Sequence, residues 1–268
     1  MTSRPFVLAT LEGYSVEGGF DRPYEPATCF SPTVSLGRHA GPGDADGLWR
    51  DYERVLDLAA PLGLDGVRLG LEWARLEPHR DQFDDMAMAR YLEVIRYAKS
   101  LGLRVSVAMV GEAWPAWLGL EAWLLPWVAP RVHRYVRRVV ASLGDEVDGV
   151  VLFADPEKIL RRGFLEASAP PWRRNAQLDF ASASAQVQRI IADLGDEPEV
   201  APRLVTRTRS VDLDQLALAQ ALLDDVTEVY VRALVKGKGP TAANNGLLVK
   251  HGGEWRVAPE PDVLEALA

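Results

Sequence analysis

Residues 66–78, GVRLGLEWARLEP, constrain this chain more than any other stretch. Val67, Leu69 and Leu71 alternate with Arg68, Gly70 and Glu72, so an extended segment here has one aliphatic face and one carrying a guanidinium and a carboxylate. Helical patterns flank it on both sides, as they flank the buried strands of α/β proteins. In a parallel barrel, inward residues near the C-terminal end of a strand reach the active site, which makes Arg68 and Glu72 candidates for one. The alternative is a salt bridge on the solvated face of a sheet.

The same alternation of strand and helix runs through the first half. Residues 6–11 read as an apolar strand ending in Glu12, Gly13 and Tyr14, and 18–46 as a long Pro/Gly/Ser-rich loop of the kind that forms lids or binding walls. Asp46 is placed to cap a helix using Leu48, Tyr52, Val55, Leu56, Ala59 and Leu62, stopped by Gly63. A strand over 66–73, a helix over 86–101 and a strand over 104–110 follow. Pro130 opens a helix that buries Val132, Tyr135, Val136, Val139, Val140 and Leu143, and 149–154 is a fourth strand running into Asp155 and Pro156.

The second half is less regular. It holds helices over 178–194 and 212–223, strands over 203–208 and 226–235, an extended piece over 246–249, a turn at 252 and 253, and a terminal helix over 262–267. In the 226–235 strand Tyr230 and Arg232 alternate with Val229, Val231 and Ala233. The expected fold is α/β, a TIM-type (β/α) barrel that is shortened or irregular, with about six recognisable strands where a complete one has eight. A chain of 268 residues with 48% hydrophobic content fits one barrel domain spanning 1–268. Missing βα units predict open strand edges, to be covered by a loop over 236–245 or by a homodimer.

A net charge of −8 without a Lys/Arg run argues against nucleic acid or an anionic membrane as partner and favours a small-molecule ligand. Cys29 is the lone cysteine, which excludes an internal disulfide and a thiolate metal cage. With no signal-peptide pattern and no apolar run of membrane-spanning length, the expected location is cytoplasmic.

Four consecutive strand ends carry an acid: Glu12, Glu72, Glu112 and Asp155. Gathered at one mouth they would repel one another, raising some pKa values and supplying an acid and a base at neutral pH, with Arg68 keeping one of them ionised. Beside Glu112, residues 111–127 hold Trp114, Trp117, Trp123 and Trp127, four of the eight tryptophans. Each suits core packing; as a group they also suit stacking on sugar rings. His39, His79, His133 and His251 lack ligand spacing, and no cofactor or metal is expected, although a carboxylate site for a hard cation stays open.

The segments LATLEGYSVEGG, DYERVLDLAAPLGLDGVRLGLEWARLEP, QFD, PAWL, LGDEV and VLFADP, in this order over residues 5–172, resemble the first half of glycoside hydrolase family 1, the β-glucosidase type of barrel. GLLVKHGGEWRVAPEP resembles the family's terminal segment. The resemblance implies sugar-site roles for Arg68, Tyr14, Glu17 and Trp73, which are kept, with Trp114 beside them. It also implies changes: Ala154, Asp155 and Pro156 stand where the family has Asn-Glu-Pro with the acid/base glutamate. Ser15 replaces a sugar-binding glutamine and Gly111 a sugar-binding histidine. No Thr-Glu-Asn-Gly motif carries a nucleophile; if LVTRT takes that strand's place, Arg207 occupies the position.

A retaining glycosidase needs two carboxyl groups about 5 to 5.5 Å apart, so ordinary β-glucosidase activity is not expected. Two readings follow. One is a repurposed acid/base enzyme for a sugar-like or other small oxygenated molecule, with Asp155, Glu72, Glu12 and Glu112 as catalytic candidates and Tyr230, Arg232 and Arg207 among the binding ones. The other is a non-catalytic sugar-binding or scaffold pseudo-glycosidase.

Overall fold

The structure is a computed structural model that describes residues 6–62, 64–205, 208–211, 228–232, 247–251 and 254–258, with Leu62 and the last four runs described as backbone. β1 (Phe6–Leu11) leads through a π-helical turn, Gly13–Glu17, into a long loop that contains the short α1 (Ser31–Ser35). Then come α2 (Tyr52–Ala59), β2 (Gly66–Gly70), α3 (Trp73–Leu76), α4 (Asp85–Ser100), β3 (Arg104–Val110) and α5 (Val128–Leu143). β4 (Gly149–Phe153), α6 (Pro156–Phe164) and α7 (Gln177–Gly195) follow, then β5 (Thr208–Val211) and β6 (Glu228–Arg232). β7 (Leu247–His251) and β8 (Glu254–Ala258) form a separate antiparallel hairpin.

Six strands make one sheet in the order β4-β3-β2-β1-β6-β5, and every pairing in it is parallel. Leu204 makes a parallel bridge to Val150, and the Val205 N–H donates to the Val150 carbonyl at 2.9 Å. The outer edge of β4 thus meets the chain just before β5, and the pairings come round on themselves as in a (β/α) barrel. The 236–245 loop, the 212–223 and 262–267 helices and the turn at 252 and 253 lie outside the described residues.

The two faces of the sheet differ, as period two requires. Ala9, Leu11, Val67, Leu69, Val105, Val107, Val150 and Leu152 join the main core with the buried stripes of α2, α4, α5 and α7. The other face holds a small cluster of Leu8, Ala108, Val151 and Ala154. Register places Thr10 beside Arg68, and Arg68 beside Ser106, and all three are buried.

Most elements lie where sequence pattern puts them, and the differences have local causes. The first helix starts at Tyr52 rather than after Asp46, because the Leu48 and Trp49 amides donate to the Val16 and Glu17 carbonyls instead. β2 ends at Gly70 because Trp73–Leu76 winds into a helical turn. Asp84 caps α4 by accepting from the Met86 and Ala87 amides. Among the described residues no helix is long and apolar enough to cross a membrane.

Candidate active site

Three of the four strand-end acids meet. Glu12 after β1, Glu112 after β3 and Asp155 after β4 line one pocket with Ala154, Ile159, Lys158 and Arg162, a space of ≈ 250 Å³ that includes the part open to solvent. An adjoining pocket of ≈ 220 Å³ shares Glu12 and Ala154 and is floored by Thr10, Arg68, Gly70 and Ala108, with Gly13 and Gly111 on its walls. Arg68 is the bridge between floor and rim, with Nη2 3.7 Å from Glu12 Oε1. Arg162 donates to Glu112 Oε2 at 3.2 Å.

Asp155 stands at the N-cap of α6 in the left-handed region (φ 53, ψ 58) and its side chain does not accept a capping hydrogen bond from the helix. Aspartate at this place ordinarily caps the helix. Here its carboxylate joins the pocket lining, and a left-handed non-glycine residue costs roughly 1 kcal/mol or more. Lys158 and Arg162, one turn apart on α6, were not singled out from sequence; Pro156 after an acid was the available signal for that helix.

Glu72 is not at the mouth. It is 3% exposed, its Oε1 accepts the Tyr14 N–H at 2.7 Å, and its Oε2 has no hydrogen-bond partner among the described residues. Burial pushes the carboxyl well above the usual range, Glu17 and Glu112 add to this, and the Tyr14 bond and Arg75 oppose it. The expected catalytic contact is therefore replaced by a place behind Gly13 and Gly111: a Cβ on Gly13 would lie 2.3 Å from Glu72 Cγ, and one on Gly111 3.6 Å from Oε1.

The binding candidates divide in the same way. Glu17 is buried in an ion pair with Arg75, Nε to Oε2 3.0 Å, and accepts from the Tyr91 hydroxyl at 2.6 Å. Burial raises its carboxyl, opposed by Arg75 and Tyr91. Tyr14 stacks on Phe30 at 4.9 Å and donates its hydroxyl to Asp21 at 2.7 Å. Trp73 stacks on Tyr135 at 4.6 Å and donates to Glu77, while Trp114 packs edge-on against Trp123 and donates to the Gly119 carbonyl. All four are withdrawn from solvent and packed around the site. Of the remaining tryptophans in that stretch, Trp117 packs edge-on against Trp73 and donates to the Glu77 carbonyl, Trp123 is buried and Trp127 is exposed at the start of α5, so they form no common stacking wall.

Ser15 is exposed. Arg207 lies outside the described residues; Tyr230 and Arg232 are described as backbone on β6, where Arg232 is in register with Thr10. Among the described residues no three of His, Cys, Asp and Glu gather as metal ligands. His39 packs between Phe30 and Trp172, and His133 Nδ1 lies 3.3 Å from Glu197.

No family model matches the chain. It is 27% identical over 176 residues to a beta-glucosidase of Agrobacterium sp., covering 64% of this chain and 38% of that protein. It is 26% identical over 135 residues to the chloroplastic beta-glucosidase-like SFR2 of Oryza sativa subsp. japonica, covering 48% of this chain and 21% of that one. The solved structure of a beta-glycosidase from Pyrococcus horikoshii matches 84% of this chain and 53% of its own with a TM-score of 0.67 at 18% identity. The chain thus spans about a fifth to two fifths of those curated relatives and about half of that structure. With the segments that resemble this family lying on the strands and turns of the same type of barrel, the chain is a divergent glycoside hydrolase family 1-like protein built on a shortened α/β barrel.

Proposed function

We propose that the mouth pocket carries out acid/base chemistry on a sugar-like or other small oxygenated molecule, and that the protein is not an ordinary retaining β-glucosidase. The supporting observation is the meeting of Glu12, Glu112 and Asp155, from three different strand ends, in one solvent-connected pocket. Proton transfer needs an acid and a base within reach of the reacting group, and Arg68, Lys158 and Arg162 supply positive charge beside the acids.

Asp155 is the group for donating or taking the proton, and Glu12 or Glu112 is its counterpart. Inverting hydrolysis, elimination, isomerisation and cyclisation each need only such a pair. A retaining reaction would also need a nucleophile about 5 to 5.5 Å from the acid, and the sequence has no motif for one.

The test is nitrophenol release from a panel of aryl β-glycosides by the parent and the Asp155→Asn variant. Loss of about 100-fold or more in rate supports the reading, and an unchanged rate removes Asp155 from it. The second reading, a non-catalytic sugar-binding or scaffold protein, is favoured by the burial of Trp73 and Trp114 and by glycine at 111. Saturable calorimetric binding of a glycoside without turnover would select it.

A further inference from the structure

We infer that Glu72 is a positioning residue: by holding the Tyr14 backbone it fixes the turn that carries Glu12 into the mouth pocket. This rests on the reading that Glu12 acts there. Glu12 and Tyr14 flank Gly13, and Glu72 Oε1 accepts the Tyr14 N–H at 2.7 Å across 58 residues of sequence. The turn has no slack around that bond. A Cβ at Gly13 would strike Glu72 Cγ at 2.3 Å, and a Cβ at Gly70 would lie 2.5 Å from the Gly13 nitrogen. The turn closes on itself through the Val16 N–H to the Glu12 carbonyl at 3.0 Å.

Glu72 is itself held. Its own N–H donates to the Tyr91 hydroxyl at 3.0 Å, and that hydroxyl donates to Glu17 Oε1. The titratable and charged groups coupled to it are Glu17 from the turn, Cys29 in the following loop, Arg75 on α3, Tyr91 on α4, Tyr135 on α5 and Glu112 after β3. Burial raises the Glu72 carboxyl and Glu17 adds to this, while a glutamine amide oxygen offers the Tyr14 N–H the same acceptor that the carboxyl does. Leucine offers no acceptor, and would leave a buried N–H unmatched.

The experiment compares the parent with Glu72→Gln, Glu72→Leu and Gly13→Ala, reading exchange of the Tyr14 amide by NMR together with kcat and KM on the aryl glycoside panel. Gln should leave Tyr14 exchange and kcat within about threefold. Leu and Ala should each speed exchange by at least about tenfold and lower kcat on the order of 100-fold with little change in KM, as for a misplaced group of the site. Parent-like Tyr14 exchange in the Leu variant overturns the inference, as does a Gln variant whose kcat falls as far as that of Leu. Should Leu fail to fold, Gly13→Ala displaces the same carboxyl with Glu72 intact. An absence of turnover in every protein, parent included, counts against the acid/base reading alone; Tyr14 exchange then decides the positioning role by the same margins.

Discussion

Arg75 and Glu17 are ion-paired at 3.0 Å with both side chains almost wholly out of solvent. The guanidinium also donates to the Gly18 carbonyl at 2.8 Å and lies over the rings of Phe20 and Trp49, 4.2 and 4.0 Å from their centroids. One side chain therefore ties the loop after β1 to α3. Removing it as Arg75→Met leaves Glu17 buried without its cation, and is expected to cost about 3–5 kcal/mol in urea unfolding. Arg75→Lys should recover only a minor part, since an ammonium has neither the planar fork nor the stacking face. A loss below about 1 kcal/mol for Met would show that the pair contributes little.

Trp114 and Trp123 pack edge-on with centroids 5.6 Å apart, yet they differ at the indole nitrogen. Trp114 Nε1 donates to the Gly119 carbonyl at 2.8 Å, whereas Trp123 Nε1 is buried without a partner among the described residues. Trp114→Phe is therefore expected to destabilise by about 1 kcal/mol more than Trp123→Phe. Equal losses in thermal unfolding would mean that the Gly119 bond adds nothing.

Asp155 adopts φ 53 and ψ 58 without capping α6. Glycine takes that conformation without strain, so Asp155→Gly should keep or raise stability, by up to about 1 kcal/mol, while turnover of aryl glycosides is lost. Stability falling by about 2 kcal/mol or more would show that the carboxylate serves structure rather than the pocket.

Burial raises the Glu72 carboxyl well above its ordinary value, and raises Glu17 as well. A folded-state pKa above the unfolded one gives stability that is full below the ordinary glutamate range and is lost as pH climbs from there through the folded value. Glu72→Gln removes one of these titrations. Its unfolding free energy relative to the parent should accordingly grow from about pH 4 to about pH 8 in urea melts. A constant difference across that range would mean Glu72 ionises in the fold as it does unfolded.

Much of the barrel was legible because its signals are local. Period two over residues 67–71, and the apolar stripe Val132, Tyr135, Val136, Val139, Val140 and Leu143, correspond to β2 and to the buried face of α5. The inward direction of Arg68 follows from the same alternation. α6 was missed since four of its nine residues are charged, Glu157, Lys158, Arg161 and Arg162, leaving a thin apolar stripe of Leu160 and Phe164.

By itself the sequence determined the parallel αβ order, the family likeness and the presence of an acid after each of β1 to β4, because strand and helix periods and short motifs depend on neighbours along the chain. Only the tertiary structure decided which acids share a pocket. Glu12, Glu112 and Asp155 meet, while Glu72 turns under Gly13, since past the last strand hydrogen bond a side chain's direction is set by loop backbone and by groups as distant as 58 residues in sequence. The same holds for Trp73, Trp114 and Glu17: their residue types suit a sugar site, and packing against Tyr135, Trp123 and Arg75 assigns them to the interior.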